Sequence, residues 1–559
     1  MVILIEGEYY DIDDLQKIFE DINFYTPHGS KGKIKSVGYY HSFEKNSLVL
    51  MLPKVFMKDA EKTSILDLSP QEIFSQKTDS LKHKPQYNWV RQLSLYFYNS
   101  LKEFKSRFPD SVLINYSETF ELRNKSSYKE YSYLDILLSL INFYKKNKSI
   151  ISFTHIQSVS NKIKKTKWEK TIRKSLPLKI DDNKFLYPEV INKNKTADQG
   201  EDLIIYFLSI INYLSEQHSL NISIEKYYPI IKGQRFQTLQ KNGLSKLRKI
   251  KYKYYSDLYK NMYRLCELYF SIFDSADIKK RKQDYIVTNT YNIIFEDMID
   301  KLFSDDLNQI KGSDGLSLSD LKNNEDGKKI DHIFDYESLI DTSNIFYIGD
   351  SKYYKTNRTA DGLSRYKQFT YAKNIIQYNI NLLNEDKSYS PDIRYRDPLT
   401  EGYNITPNFF IYGYIDNPEN YNLNELIPVG EPYESRHFTH RLFDRDTLYV
   451  HQYKINFLYV LKSYTSYTTV NYKDFRESVK ELFRNHFVKY FQDNEENGYT
   501  FYEIKVDDFE RFVNDNFRLL NGKSYVTKDN KLIIAKHRFD DSLDELLRNN
   551  EHIAFSFKS

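Results

Sequence analysis

Two short segments of the sequence carry carboxylates and a lysine at spacings that suit phosphodiester hydrolysis. The segment 329–334 contains Asp331, and the segment 346–352 ends in Asp350 and Lys352. Residues two apart in a β-strand point to the same face, so Asp350 and Lys352 project together. If the strand of Asp331 pairs beside them, two carboxylates meet one lysine at a sheet edge. We expect these three residues to be catalytic at the protein surface, where replacing one of them spares the fold. The carboxylates offer oxygen ligands for Mg²⁺, and the lysine positions or deprotonates the attacking water.

A further acidic residue lies on the helix that is predicted to precede these strands. Glu296 stands beside, rather than within, the apolar stripe that includes Phe295 and Ile299. We expect Glu296 to lean over the sheet edge and take part in catalysis as a direct or outer-sphere metal ligand. The alternative is a solvated helix carboxylate with no part in the site.

Candidate DNA contacts follow the second strand. Lys355 comes shortly after it, and Gln368 and Tyr371 lie three apart on a helix predicted over 364–382, where they face the same side. Cations, amides and aromatic rings commonly contact phosphates and bases. The alternative for this helix is amphipathic packing without any DNA contact.

Helix and strand signals predict a multidomain α+β protein with four regions. These are an N-terminal α+β module over 1–155, a mainly helical basic region over 156–285, an α/β domain over 286–465 and a C-terminal α+β extension over 466–559. In the third region we expect strands near 330–336, 345–352, 408–415 and 454–461.

The basic middle region contains a dense run of cations. It consists of seven residues within thirteen positions, namely Lys162, Lys164, Lys165, Lys167, Lys170, Arg173 and Lys174. With 81 basic and 77 acidic residues, the net charge is only +4, so any footprint for DNA must be local. We expect this run to contact DNA phosphates or a partner protein, the alternative being a solvated helix face.

Composition excludes several other classes of protein. The 559 residues exceed the size of one domain, and the 40% hydrophobic and 28% charged shares argue against a disordered chain. Cys266 is the only cysteine, which excludes an internal disulfide or a zinc ribbon and suits a reducing cytoplasm. The longest apolar run, 203–214, is too short to span a membrane. A cytoplasmic protein without a membrane anchor or secretion signal is expected.

The order of the elements resembles the PD-(D/E)xK nuclease core. An acid-bearing helix, a polar connection, a strand with Asp331, a strand with Asp350 and Lys352, and a helix with Gln and Tyr follow one another. Ile330 stands where the name of the motif has proline, a change that removes no ligand. The resemblance implies an α/β restriction-endonuclease-like core within 286–465.

Several segments are similar to the LlaJI family of restriction endonucleases, which are relatives of McrC. They span about residues 38 to 371 and are Gly38–Tyr40, Val49–Phe56, Lys167–Ile172 with Pro177, Gly349–Tyr354 and Lys367–Tyr371. The resemblance implies a Mg²⁺-dependent endonuclease subunit of a restriction (defence) system, of type II or type IV, that acts on double-stranded DNA. It also implies a separate McrB-like AAA+ GTPase as partner, which residues 1–155 are expected to bind.

Other functions stay open at this point. No Gly-x-x-x-x-Gly-Lys-Ser/Thr motif occurs, so any motor must be another chain. A histidine and aspartate cluster, formed by His437, His440, Asp444, Asp446 and His451, fits a solvated loop better than a metal site. The main alternative is a non-catalytic DNA-binding or GTPase-stimulating subunit whose acidic residues are structural.

Overall fold

The chain is a mixed α+β protein in the computed structural model and divides into two compact units. The described residues are 2–20, 22–45, 47–57, 64, 68–75, 85–116, 120–124, 127–151, 154–181, 184–196, 201–217, 222–224, 228–273, 283–303, 330–353, 361–384, 392–417, 420–465, 472–493 and 498–557. The first unit is Met1–Met51, Gln71–Asn88 and Asn115–Val287, and the second is Leu52–Pro70, Trp89–Ile114 and Thr288–Ser559. The four regions expected from the sequence stay predictions.

Strands and helices alternate irregularly in the first half of the chain. In order they are β1 (Val2–Ile5), β2 (Tyr9–Asp11), α1 (Ile12–Ile18), β3 (Tyr25–His28), β4 (Lys31–Ile34), β5 (Val37–Ser42), β6 (Ser47–Leu52), α2 (Pro70–Ser75), α3 (Pro85–Arg107), β7 (Ile114–Tyr116), β8 (Phe120–Asn124), β9 (Ser127–Tyr131), α4 (Tyr133–Ile151), β10 (Thr154–Ser160), α5 (Trp168–Lys174), β11 (Leu178–Asp181), β12 (Lys184–Leu186), β13 (Val190–Thr196), α6 (Asp202–Gln217), α7 (Gly233–Ile250), α8 (Asp257–Ile272) and β14 (Gln283–Thr288).

The second half of the chain contains longer strands and helices. They are α9 (Tyr291–Phe303), β15 (His332–Glu337), β16 (Asn344–Lys352), α10 (Asp361–Asn384), β17 (Pro407–Tyr414), β18 (Leu426–Pro428), β19 (Tyr433–Ser435), β20 (Leu448–Asn456), α11 (Phe457–Thr465), α12 (Tyr472–Asp493), β21 (Tyr499–Ile504), α13 (Phe509–Asp515), α14 (Phe517–Leu520), β22 (Ser524–Val526), β23 (Leu532–His537), α15 (Asp544–Asn549) and β24 (His552–Ala554).

The first unit combines a sheet of order β1-β6-β5-β14-β7 with a group of helices, α4, α6, α7 and α8, that pack against one another. Aromatic side chains such as Phe19, Phe24 and Tyr40 belong to the buried cluster on this sheet. Residues 156–285, expected to be mainly helical, begin instead with strands up to β13. All side chains of β11 and β12 are exposed, although β11 alternates apolar and polar residues from Leu178 to Asp181, as a half-buried strand does.

The second unit contains the sheet that carries Asp350 and Lys352. Its order is β15-β16-β17-β20-β18, and β19 also pairs with β20. β15 is antiparallel to β16, whereas β16, β17 and β20 are mutually parallel. α10 covers one face of this sheet through a core that includes Phe369 and Phe410. On the other face Phe409 stacks on Phe483 of α12, with ring centroids 4.4 Å apart. Helices on both faces suit the buried, parallel centre of the sheet.

The strand expected over 454–461 is wrong in its bounds. β20 ends at Asn456 and α11 begins at Phe457, because the Asn456 Oδ1 accepts a hydrogen bond from the N–H of Leu458 at 3.1 Å and so caps the helix. A four-stranded sheet, β22-β23-β21-β24, follows near the C-terminus. Across the part of the chain that is described, no helix combines the length and apolarity needed to span a bilayer.

Candidate active site

The two acid-bearing segments form an antiparallel hairpin. β15 and β16 pair with His332 opposite Gly349. Asp331 directly precedes β15, so it lies beside the end of β16 that carries Asp350. Ile348 packs into the core under α10, and Asp350, two residues further, shares its face. The expected pairing of the two segments is confirmed.

The carboxylates of Asp331 and Asp350 lie close enough to share a proton. Asp331 Oδ2 accepts a hydrogen bond from the backbone N–H of Ser351 at 3.3 Å. Burial raises the pKa of Asp331 well above its usual range, and the charge of Asp350, a hydrogen bond to its carboxylate and the charge of Glu296 raise it further, while Lys352 lowers it. Negative charge in this group therefore exceeds the positive charge that Lys352 supplies.

Lys352 forms an ion pair with Asp350. Its Nζ donates a hydrogen bond to Asp350 Oδ2 and lies 5.0 Å from the ring centroid of Phe410. Asp350 and Lys352 are only 9% and 8% exposed. The expected surface position is therefore wrong, because α10 covers this face of β16. Removing one member of a buried pair leaves the other charge uncompensated, so substitutions here are expected to lower stability.

Glu296 and Tyr371 approach the aspartates from flanking helices. Glu296 on α9 is partly buried and accepts a hydrogen bond from Asn292 Nδ2 at 3.4 Å. Its charge acts on both Asp331 and Tyr371. Burial, followed by the charges of Asp331 and Asp350, raises the pKa of the Tyr371 hydroxyl on α10. Both predicted residues thus belong to the same electrostatic group as the aspartates.

Gln368 is placed differently from Tyr371. It is fully buried, and its Nε2 donates to the carbonyl oxygen of Ile348 at 3.1 Å. This bond ties α10 to β16 two residues before Asp350. The Gln368 Oε1 has no hydrogen-bond partner among the described residues. Gln368 is therefore a positioning residue in this structure, and its contact with DNA stays a prediction. The same holds for Lys355, which lies outside the described residues.

A polar chain on the opposite face of the hairpin was missed by the sequence analysis. His332 Nε2 is hydrogen bonded with Ser351 Oγ, and His332 Nδ1 lies 3.4 Å from Asp300 Oδ1 on α9. His332 and Ser351 are buried. These side-chain contacts join α9 to β15 and β16 and hold the backbone next to Asp331 and Lys352. The only sign of these residues in the sequence is that His332 follows Asp331 and that Ser351 lies between Asp350 and Lys352, which places both on the opposite face of the strands.

The donor set fits a magnesium ion that keeps most of its water. Asp331 and Asp350 are oxygen donors whose negative charge Lys352 offsets only in part, and Mg²⁺ is usually held by one or two carboxylates plus water. Within the described ranges, no three His, Cys, Asp or Glu side chains are arranged to hold a metal ion. Both roles expected for Glu296, direct ligation and an outer-sphere position, stay predictions.

The predicted basic segment lies in the first unit, within a small structure built by β10, α5 and β13. Asn192 is buried and its Nδ2 donates to the carbonyl oxygen of Lys162 at 2.7 Å, while Thr171 Oγ1 accepts from the N–H of Ile191 at 3.0 Å. Of the seven cations of the basic segment, all but Lys167 are exposed.

Large apolar side chains are interspersed with these cations, each 47% to 88% exposed: Val159, Ile163, Trp168, Ile172, Leu176, Leu178, Ile180, Phe185 and Leu186. Exposed apolar side chains in such number are typical of a protein-binding surface.

The histidine and aspartate cluster is not assembled as a metal site. His440 packs against His537 with ring centroids 4.3 Å apart, whereas His451 is buried against His486 at 4.7 Å. Asp446 makes an ion pair with a lysine of α10 at 2.6 Å. These residues therefore face different neighbours, but His451 is buried on β20, so the expected solvated loop is wrong for this residue.

Comparisons of the chain with models of protein families, with curated proteins and with solved structures found no match. Inferences about function therefore rest on the residues and the geometry of the site.

Proposed function

We propose that this chain is a Mg²⁺-dependent endonuclease that hydrolyses phosphodiester bonds in double-stranded DNA. It acts in the cytoplasm as the nuclease subunit of a restriction system and is driven by a separate McrB-like AAA+ GTPase. The observation that carries the proposal is the meeting of Asp331, Asp350 and Lys352 at the end of one hairpin, with carboxylates in excess of cations.

The surrounding elements support a PD-(D/E)xK core. α9, β15, β16 and α10 follow one another in the order that the resemblance implies, and β17 returns parallel to β16 after α10. The acidic helix, the two strands and the Gln/Tyr helix all contribute to one electrostatic group. If these residues matched the motif only by chance, there would be no reason for their side chains to lie close together in the fold.

Each residue of the group has a distinct role in this proposal. Asp331 and Asp350 would hold the metal ion, and Mg²⁺ bound there would supply positive charge against the negative charge that develops on the scissile phosphate. Lys352, held beside Asp350, donates hydrogen bonds to the attacking water or to a phosphate oxygen. The Tyr371 hydroxyl is protonated at neutral pH, as tyrosines ordinarily are, and donates a hydrogen bond to the substrate.

Dependence on a partner chain is part of the proposal. The sequence has no phosphate-binding loop of the usual NTPase type, so hydrolysis of GTP must be supplied by another protein. Residues 1–155 are proposed to bind that protein. The exposed apolar side chains between Val159 and Leu186 favour extending the docking region to this segment, and its lysines then contact the partner rather than DNA alone.

Cleavage of plasmid DNA by the purified full chain tests the proposal. We expect little cleavage with Mg²⁺ alone, rapid cleavage after addition of a cognate McrB-like AAA+ GTPase with GTP, and none in EDTA. Strong cleavage without nucleotide would refute the motor dependence and leave a self-sufficient nuclease. No cleavage with motor, GTP and Mg²⁺, despite complex formation, would favour the non-catalytic DNA-binding or GTPase-stimulating subunit.

A further inference from the structure

The first unit contains a wide cleft that the proposed nuclease activity does not use. It lies between the end of α7, the short 3-10 helix Lys251–Lys253 and the start of α8, and its volume is about 1040 Å³. This volume is at the upper end of the range for ligand-binding pockets. The cleft is therefore large enough for an extended ligand.

Two tyrosines at this cleft are almost completely exposed. Tyr252 is 83% exposed and Tyr255 is 85% exposed. Between them, Tyr254 is anchored by a hydrogen bond from its hydroxyl to Glu201 Oε1 at 2.5 Å and by packing against Tyr259. The anchor fixes the backbone, so the two flanking rings are held outward, although burial of their apolar surface would be favourable.

Four cations and two carboxylates, Asp257 and Glu267, line the cleft, so the lining has a net charge of +2. Arg248, Lys251 and Arg264 are exposed, and Lys260 is partly neutralised by Asp257, whose Oδ1 lies 3.8 Å from its Nζ. Further lysines of α7 and of the 3-10 helix stand nearby. Aromatic rings interleaved with arginine and lysine are the combination that binds unpaired bases and their phosphates.

A buried hydroxyl also faces the cleft without a partner. Tyr263 on α8 is 6% exposed and lines the cleft, and its hydroxyl makes no hydrogen bond to any described residue. An unpaired polar atom at this depth normally costs stability unless a ligand or water satisfies it. The charges of Glu267 and Arg248 both act on this hydroxyl. Both residues line the cleft, so the hydroxyl lies near charged groups of the lining.

We propose that this cleft binds single-stranded nucleic acid, with Tyr252 and Tyr255 stacking on unpaired bases, Arg248 and Arg264 contacting phosphates, and Tyr263 donating a hydrogen bond to the strand. Duplex DNA offers phosphates, but its bases are stacked inside the helix and cannot stack on the two exposed tyrosine rings. A segment of unpaired DNA, such as a translocating motor exposes, is the ligand that uses both features. The proposal stands whether or not the second unit is a nuclease, since the cleft lies wholly in the first unit.

Fluorescence anisotropy of the full chain in EDTA, with labelled dT20 and with a 20-bp duplex of mixed sequence, tests this inference. Replacing both tyrosines (Tyr252→Ala with Tyr255→Ala) is expected to weaken dT20 binding by ~25-fold or more, about 5-fold or more for each stacked base. Duplex binding is expected to change less than about 2-fold, because phosphate contacts remain. Tyr263→Phe is expected to weaken dT20 binding by roughly 2- to 10-fold, the usual range for one hydrogen bond.

Two further variants separate stacking from charge. Replacing the same tyrosines by phenylalanine keeps the rings and is expected to preserve dT20 binding, while Phe539→Ala, at a 64% exposed ring in the second unit, is the control for loss of an exposed aromatic side chain. Arg248→Gln with Arg264→Gln is expected to reduce the salt slope for dT20 by about 1.4, about 0.7 for each phosphate contact. Unchanged dT20 affinity in the double alanine variant would overturn the inference and leave the cleft to a protein partner. Equal losses for dT20 and duplex would overturn it as well.

Discussion

Replacing Gly349 by alanine is expected to damage the hairpin that carries the catalytic group. Gly349 directly precedes Asp350 on β16 and lies beside Phe409 on β17. A Cβ at this position would lie 2.0 Å from Cε2 and 2.3 Å from Cζ of the Phe409 ring. Ordinary contact begins at 3.4 Å, so the ring or the strand must shift by the difference, about 1.4 Å.

The surroundings of Phe409 leave little room for such a shift. The ring is fully buried, stacks on Phe483 with centroids 4.4 Å apart, and also contacts Phe334, whose centroid is 6.0 Å away. Overpacking a tight core typically costs about 1–3 kcal/mol, and a clash of this depth between three rings is expected at the upper end, about 3 kcal/mol. Because Asp350 is the next residue, the same shift moves the carboxylate relative to Asp331.

Guanidinium unfolding of Gly349→Ala, with hydrogen exchange of β15, β16 and β17 to locate the effect, measures this cost. The matched control is Gly362→Ala in the first turn of α10, where the nearest atom, Arg365 Nη2, is 4.0 Å from the new Cβ. The control is expected to be neutral or to gain up to about 1 kcal/mol, since alanine favours a helix. A Gly349→Ala chain that unfolds within about 0.5 kcal/mol of wild type, with unchanged exchange, would refute the packing argument.

Three further outcomes follow from the charges in the structure. Asp331→Asn, which removes one of two adjacent carboxylates, is expected to raise metal-free stability by roughly 0.5–1 kcal/mol and to abolish the stabilisation by Mg²⁺ that we expect in a thermal melt of the wild type; a lower melting temperature without metal would contradict this. Replacing four lysines within Lys162–Lys174 by glutamine is expected to weaken the complex with the AAA+ GTPase in a pull-down titration while leaving dT20 binding intact, and an intact complex would exclude this segment as the docking region. Burial, followed by the nearby charge of another histidine, lowers the pKa of His537 to about 4, and its Nδ1 accepts the N–H of Phe539 at 3.2 Å only when unprotonated. The folded state thus binds fewer protons than the unfolded state between about pH 6.5 and 4, so stability falls as the pH is lowered through this window, and His537→Gln should flatten that part of a stability profile.

The strands of the site could be predicted because their signal is local. The segment ending in Asp350 and Lys352 is an apolar run, and β16 forms there as expected. The buried position of Lys352 could not be predicted, because it depends on α10, which follows later in the chain and folds over that face. A lysine side chain can lie against an apolar ring such as Phe410 or extend into solvent. The sequence alone therefore does not distinguish a buried Lys352 from an exposed one.

Other differences arise where two local signals compete. The apolar run from Phe457 onward suits a buried strand and a buried helix alike, and the cap at Asn456 decides for the helix. The His332 and Ser351 hydrogen bonds could not be foreseen either, since the pairing register of β15 and β16 is a tertiary property. Sequence patterns thus located the candidate catalytic residues, and tertiary packing determined their burial and their supporting contacts.

The rate of plasmid cleavage by Asp350→Asn, compared with Asp335→Asn, tests the central claim most directly. Both changes remove one carboxylate from the same hairpin, but Asp335 lies within β15, four residues after Asp331 and opposite Phe346, away from the catalytic group. With the AAA+ GTPase, GTP and Mg²⁺ present, we expect Asp350→Asn to lose at least ~10²-fold in cleavage rate while complex formation persists, and Asp335→Asn to cleave like the wild type. Cleavage by Asp350→Asn at more than half the wild-type rate would show that phosphodiester hydrolysis does not take place at this site.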